Sequence, residues 1–221
     1  MKDMKDRLII CISGFTASGK STVARRLSKT LEIPYISGGN ALKKIKLGNN
    51  KKEGWWVRDA GQKFLRERRK CLDIDKMIDD ELIKIATTTK KGIFDSWTLP
   101  WLIPGGIKIW LDASPPTRAK RAARRDHISY EQGLRAIKDK DSISRDIYYN
   151  LYKIDFGKDF SPFDVVLKTD KFTDEGVYKI VRCVVDEYGR YEVEAFLAEV
   201  AKDAVETAKR KGCGTRDLIR E

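Results

Sequence analysis

The chain has 221 residues and a formal net charge of +12, and 41% of its residues are hydrophobic and 35% charged, as in a single globular core with an ionised surface. No apolar stretch approaches the roughly 20 residues of a bilayer span and no signal-peptide pattern opens the chain, so we expect a cytoplasmic protein without a membrane partner. One histidine and four scattered cysteines argue against a zinc site or a disulfide framework.

The first predicted element is a buried strand, residues 8–12, whose continuous apolar run is typical of a strand covered on both faces. Residues 14–21 then fit the pattern G-x-x-x-x-G-K-[ST] and lead into a helix with apolar spacing up to Leu31. Such a loop turns backbone N–H groups toward a phosphate, its lysine reaches the β and γ oxygens, and its last hydroxyl serves Mg²⁺. The pattern therefore predicts an ATP and Mg²⁺ site made by Gly14, Thr16, Ala17, Ser18, Gly19, Lys20, Ser21 and Thr22.

The remaining elements alternate between strands and helices. Further strands are predicted at residues 34–37, 93–95, 107–111 and 163–168, and helical stretches at 38–89, 117–153 (three helices) and 174–188. This alternation implies crossover connections and a five-stranded parallel sheet between two helical layers, which is a three-layer α/β fold. Gly189 is expected to end the last of these helices. A separate amphipathic helix is predicted beyond it, over residues 190–211.

Two aspartates end predicted strands. Asp95 ends the third strand, and ligand sites in open α/β sheets lie at that carboxyl edge, so Asp95 is the candidate partner of Ser21 in holding Mg²⁺. Asp112 ends the fourth strand before Ser-Pro-Pro and is predicted to cap the helix that follows.

The order of these segments resembles the cytidylate kinase family in its compact archaeal form, within the nucleoside monophosphate kinases. The resemblance covers roughly residues 7–188 and, after the phosphate loop, rests on residues 35–43, 75–79, 109–121, 141–155 and 163–169. It implies the fold of a P-loop kinase, with one kinase domain over residues 1–188. Within that domain it implies a helical acceptor-binding insert at about residues 38–90 and a lid at about 117–150. Residues 189–221 remain as a C-terminal extension.

The resemblance also implies a reaction: transfer of the ATP γ-phosphoryl group to a pyrimidine nucleoside monophosphate, CMP or dCMP, with Mg²⁺. Such an enzyme positions two phosphates in line and neutralises their charge. The predicted catalytic residues are Lys20, Asp95, Arg121, Arg125 and Arg145. Arg118, Thr169 and Lys171 are predicted to join the ATP site. The predicted acceptor site contains Ser37, Gly39, Lys43, Asp95, Trp97, Asp141 and Arg145.

The acceptor side departs from the family. Where the family usually reads Glu-Gly-Arg, this chain reads Asp95-Ser96-Trp97, and an indole cannot form a bidentate bond to phosphate. Lys43 also stands where an arginine is usual. Two alternatives therefore stay open: a P-loop kinase for another small acceptor, or a nucleotide-dependent RNA-binding or regulatory protein, which the positive charge would suit. A monomer and a homodimer are both compatible with the sequence.

Overall fold

The computed structural model describes residues 7–41 and 59–210, and within them all five predicted strands form one parallel sheet. The strands are β1 (Leu8–Ser13), β2 (Tyr35–Ser37), β3 (Lys91–Asp95), β4 (Ile107–Asp112) and β5 (Val165–Lys168). Their order across the sheet is β2-β3-β1-β4-β5. Because every pair is parallel, the carboxyl ends of the strands meet at one edge, where Ser13, Ser37 and Asp95 lie. The predicted α/β fold with a five-stranded parallel sheet is confirmed.

Seven helices lie entirely within the described ranges, and a further helical stretch begins at Gly38. The seven are α1 (Lys20–Leu31), α2 (Asp59–Lys70), α3 (Asp73–Thr88), α4 (Leu99–Leu102), α5 (Pro115–Asp126), α6 (Tyr130–Tyr152) and α7 (Asp174–Arg210). Residues 117–153 hold two helices rather than the predicted three, because α6 continues without a break to Tyr152. The segment predicted to form a lid, at about residues 117–150, lies in α5 and α6, which we call the lid helices. No helix in the described ranges is both long and apolar enough to cross a membrane.

The expected break at Gly189 is wrong, since α7 runs through this residue as one helix of 37 residues. A glycine inside a helix costs only about 1 kcal/mol of stability relative to alanine. This cost is too small to end a helix when the residues on both sides of the glycine favour helical structure. Most of the apolar side chains predicted to line residues 190–211 lie outside the described residues, as do Lys43, Trp55 and Trp56.

Both faces of the sheet are covered, as the apolar run of β1 predicts. Ile10 and Ile12 point to one face and pack with α1 and α7. Ile9 and Cys11 point to the other face and pack with α2 and α3. Burial raises the pKa of the Cys11 thiol to about 12, so this cysteine is a small core residue without thiolate chemistry.

The first lid helix begins at Ser114, not at Asp112. Ser114 is the N-cap residue of α5, and its side chain accepts a hydrogen bond from the Thr117 backbone N–H. The Ser114 hydroxyl in turn donates to Asp170, and this bond lowers the pKa of the Asp170 carboxyl to about 2. The predicted capping role of Asp112 is therefore wrong: two residues separate it from the first turn, and the serine side chain is closer to the free N–H groups.

Candidate active site

The loop between β1 and α1 passes unusually close to the sheet. Its backbone has positive φ at Gly14 (141°), Ala17 (62°) and Gly19 (109°). A Cβ atom at Gly14 would lie 2.2 Å from the backbone oxygen of Leu111 on β4, so only glycine fits there. The loop leads straight into the N-terminus of α1, and backbone N–H groups in such an arrangement form an anion-binding concavity.

Two buried hydroxyl oxygens in this loop, Thr16 Oγ1 and Ser18 Oγ, have no hydrogen-bond partner among the described residues. Buried polar atoms are almost always satisfied in native proteins, so both atoms indicate a polar ligand at this position. Phosphate oxygens accept hydrogen bonds from hydroxyl and N–H donors alike. The loop therefore fits a nucleotide phosphate chain on grounds independent of its sequence pattern.

Lys20 is folded back onto the loop that precedes it. Its Nζ donates to the backbone oxygens of Gly14 at 2.7 Å and Phe15 at 2.8 Å, and it lies 5.5 Å from the centre of the Trp97 ring. Burial lowers the pKa of Lys20 to about 8, although the charge of nearby Asp95 raises it. A phosphate bound in the loop would replace neutral carbonyl partners with anionic ones, which favours the charged form of Lys20.

Asp95 is held at the end of β3 by two hydroxyl groups. The Ser21 hydroxyl and the Tyr35 hydroxyl, the latter at 2.9 Å, both donate to Asp95 Oδ2. Burial and the Asp95 charge together raise the pKa of Tyr35 to about 12, so its phenol stays a donor. No group of three histidine, cysteine or acidic side chains suited to a metal occurs in residues 7–41 and 59–210. One carboxylate and one hydroxyl fit Mg²⁺, which keeps several waters and takes further oxygens from phosphate.

Two arginines of α5, Arg121 and Arg125, lie close to the phosphate loop and Asp95. Arg121 donates to the Ser18 backbone oxygen at 3.1 Å and to the hydroxyl and carbonyl oxygens of Thr169, each at 2.9 Å. Arg121 thus links the phosphate loop to the segment that follows β5. Arg125 binds the carboxylate of its neighbour Asp126 through two hydrogen bonds of 2.8 and 2.6 Å.

Together these elements enclose a cleft of about 450 Å³. Its predicted lining residues are Thr16, Ala17, Gly19, Lys20, Ser21, Thr22, Ser37, Gly39, Asp95, Trp97, Arg121 and Arg125. The cleft also contains residues that sequence reasoning missed, namely Arg25, Asn40, Arg124, Asp126, Lys140 and Asp174. The phosphate loop, the two candidate metal ligands Ser21 and Asp95, and the arginines of α5 therefore line the same cleft.

Arg118 and Asp141 were expected to contact ATP and the acceptor, but they lie behind the phosphate loop rather than in the cleft. Arg118 pairs with the Asp141 carboxylate, and both residues are at most 7% exposed. Asp141 accepts from the Thr16 backbone N–H at 3.1 Å, while Arg118 donates to the Thr16 backbone oxygen at 3.0 Å. The pair thus fixes the backbone of Thr16 from the lid side, a positioning role that differs from the predicted ligand contacts.

Arg145 lies away from the cleft as well. It borders a separate surface pocket with Asp155, whose carboxylate is 3.9 Å from the guanidinium. The reason is the register of α6: Lys140, Ser144 and Tyr148 recur every four residues and point inward, and Arg145 is turned about 100° from that stripe. The same spacing is the sequence signal that would have identified Lys140.

Two predicted ATP-site residues near the end of β5 also lie outside the cleft lining. Thr169 is fully buried and donates to the Asp112 backbone oxygen, so it reaches the site only through Arg121. Lys171 is exposed and does not border the cleft.

The Trp97 side chain packs against other aromatic rings and also lines the cleft. Its ring stacks on Phe156, with centres 4.5 Å apart and planes at 19°, and its edge meets Phe15 of the phosphate loop. It is half-buried, and its remaining surface faces the cleft beside Lys20. The residue therefore offers an aromatic face to a ligand but no charge.

Comparison with known proteins agrees with the family resemblance that the sequence motifs indicate. The sequence profile of the cytidylate kinase-like family matches residues 9–171. A cytidylate kinase of Sulfurisphaera tokodaii is 34% identical over 181 residues, which is 81% of this chain and 96% of the relative. Among solved structures, an uncharacterized protein of Eubacterium ventriosum covers 81% of this chain and 99% of its own, with a TM-score of 0.59 and 20% identity. A shikimate kinase of Bacteroides thetaiotaomicron covers 81% of this chain and 98% of its own, with a TM-score of 0.52 and 13% identity.

Proposed function

The chain belongs to the cytidylate kinase-like family, and from this premise we propose that it transfers the γ-phosphoryl group of ATP to a pyrimidine nucleoside 5′-monophosphate, preferring CMP or dCMP. The observation that carries the proposal is the single cleft in which Lys20, the Ser21–Asp95 pair and Arg121 converge. The relative from Sulfurisphaera tokodaii, which matches over most of both chains, is named a cytidylate kinase.

The proposed reaction needs positioning more than covalent chemistry. An oxygen of the acceptor phosphate attacks the γ-phosphorus of ATP, a new P–O bond forms, and the bond to the β-phosphate oxygen breaks. The acceptor oxygen is already ionised at neutral pH, so no protein base has to remove a proton. The products are ADP and a nucleoside diphosphate, and the negative charge is conserved.

Three groups of residues would have separate roles in this reaction. The phosphate loop orients the donor through its backbone N–H groups and the hydroxyls of Thr16 and Ser18. Lys20 and Arg121 neutralise the charge that spreads over the transferred group. Ser21 and Asp95 would hold Mg²⁺, which would supply positive charge to screen the donor phosphates.

The acceptor phosphate has to be held without the arginine that the family usually has at position 97. Arg25 and Lys140 both border the cleft, and we propose that they supply this charge. Trp97 would contribute a flat apolar surface against which a base or sugar can lie. The Lys140 ammonium is a mobile point charge rather than a planar fork, so we expect it to select the geometry of the acceptor phosphate less strictly than an arginine at position 97 would.

The test is a screen of ATP consumption across nucleoside monophosphates, nucleosides and small hydroxylated metabolites, with the Lys20→Ala protein as the blank. We expect turnover with CMP and dCMP at least 10-fold above that with any other acceptor. Turnover only with an acceptor that is not a monophosphate would contradict the proposal and favour a kinase with a changed acceptor site. RNA binding that weakens steeply with salt, without any turnover, would favour the regulatory alternative.

A further inference from the structure

The last helix continues past the sheet that its first half covers. α7 has 37 residues and is therefore about 55 Å long. Val177, Val181 and Val185 in its first half are buried against the sheet. At Gly189 an added Cβ atom would meet no neighbouring atom within 4 Å, so this side of the helix is open there. We call residues 190–210 the distal segment of α7.

The side of α7 that faces the sheet becomes exposed along the distal segment. An α-helix turns by about 100° per residue, so Ala195, Lys202 and Glu206 lie within about 20° of the direction of Val177 around the helix axis. Val177 is 4% exposed, whereas the three later residues are all exposed. The distal segment therefore projects beyond the sheet instead of packing on it.

The apolar residues of the distal segment follow another side of the helix. The centre of their stripe is formed by Val193, Leu197, Val200, Ala204 and Ala208. Counted from Val181, these positions are turned by between about 100° and 180° around the helix axis. The stripe is thus no continuation of the face that packs on the sheet. Because α7 runs through Gly189 without a break, the stripe points to a partner other than the sheet of its own chain.

Both residue size and charge change along the distal segment. The first three residues of the stripe are valine, leucine and valine, and the last two are alanines. Residues 191–200 include three acidic residues and no basic one, whereas residues 201–210 include three basic and two acidic ones. A second copy in antiparallel orientation would place large residues against small ones and the acidic half against the basic half. A parallel copy would place like against like, which leaves gaps between the alanines and sets equal charges side by side.

We propose that the distal segment is a self-association surface, along which two copies of this chain pair as antiparallel helices with a two-fold axis near position 200. In this arrangement Leu197 packs against the partner's Ala204, and the reciprocal contact follows from the symmetry. The pairing leaves the cleft of each copy open, because Gly189 lies roughly 22 Å along α7 from Asp174, which borders the cleft. The inference goes beyond phosphoryl transfer and does not depend on the proposed acceptor.

The first experiment measures the mass of the full chain in solution. Sedimentation equilibrium is recorded at chain concentrations from about 5 to 200 μM, since association follows mass action. We expect a species of twice the 25.3 kDa chain mass that becomes more abundant as the concentration rises. A chain that stays monomeric over this range, including one that binds RNA as a monomer, would overturn the inference.

The second experiment compares two identical substitutions on opposite sides of the distal segment. Ala204→Glu places a charge on the stripe, and we expect the dissociation constant of the dimer to rise at least about 10-fold. Ala195→Glu is the matched control, because this exposed residue lies about 180° around the axis from position 204 and should leave the constant unchanged. The near-UV circular dichroism of the aromatic cluster around Trp110 reports whether both variants are folded. Equal dissociation constants for the two variants would contradict the assigned surface.

The third experiment tests the orientation by cross-linking. Cys71, Cys183 and Cys213 are replaced by serine, and Val200→Cys or Val193→Cys is then introduced into this background. In the antiparallel pair the two copies of position 200 lie next to each other, whereas those of position 193 are roughly 22 Å apart along the axis, too far for a disulfide. We therefore expect oxidation to cross-link only the Val200→Cys protein. Cross-linking of both proteins would overturn the antiparallel orientation, and cross-linking of neither would overturn the stripe as the interface.

Discussion

Replacing Lys20 with alanine should lower kcat on the order of 10³-fold, which is the effect of removing a main cation from a phosphoryl-transfer site. Lys20 follows the phosphate loop directly, and its ammonium donates to the carbonyl oxygens of Gly14 and Phe15, so the charge lies where an anionic ligand would bind. KM for ATP should rise as well, because we expect Lys20 to contact the donor in the ground state too. Steady-state kinetics at saturating acceptor gives both constants.

The fold should tolerate this change. Burial lowers the pKa of Lys20 to about 8, which means that folding disfavours its charged form at neutral pH. Removing the charge should therefore leave the Tm of the nucleotide-free protein unchanged or slightly higher. Lys29→Ala on the exposed side of the same helix serves as the control and should retain full activity. A Lys20→Ala protein that still turned over at the normal rate would refute the assignment of the donor site.

The second large effect is expected at Asp95. Asp95→Asn keeps the shape of the side chain but removes the charge at the end of β3, and we expect kcat to fall about 100-fold or more. The Mg²⁺ concentration needed for half-maximal rate should rise about 10-fold, because a neutral amide is a poorer partner for a hard cation. Titrating Mg²⁺ at fixed ATP measures this shift directly.

Asp112 provides the comparison, since it ends β4, which is separated from β3 by β1, at the same edge of the sheet without bordering the cleft. Asp112→Asn should leave the Mg²⁺ dependence unchanged. Identical Mg²⁺ curves for the native and Asp95→Asn proteins would show that Asp95 serves only to hold Ser21 and Tyr35 in place.

The donor half of the site could be predicted from sequence because its geometry is a property of the backbone. Within eight consecutive residues, the pattern from Gly14 to Ser21 determines where the loop turns, where the helix starts and where the lysine lies. The structure places its loop beside β4, as the steric limit at Gly14 requires. The strands were predictable for a similar reason, since continuous apolar runs of this length are typical of strands that are buried on both faces of a parallel sheet.

The acceptor half depends on tertiary packing, which one sequence does not reveal. Arg118, Arg121 and Arg125 look alike on α5, yet of these three only Arg118 is buried, and it pairs with the Asp141 carboxylate from α6. Lys140 and Arg145 are five residues apart on α6, so their side chains point in directions about 140° apart around the helix, and this difference decides which one borders the cleft. The Arg68–Asp75 pair joins α2 to α3 across the two residues that separate these helices, and its burial depends on how the helices pack together.

Trp97 gives the protein an optical property of its own. The Lys20 ammonium lies 5.5 Å from the centre of this indole, close enough for its field to perturb the excited state of the ring. When phosphate draws the ammonium away, the ring loses that neighbour, and the emission of Trp97 should change in colour and intensity. Occupancy of the phosphate loop can then be followed by intrinsic fluorescence with unlabelled nucleotide, and Trp97→Phe should abolish the signal while keeping an aromatic face in the cleft.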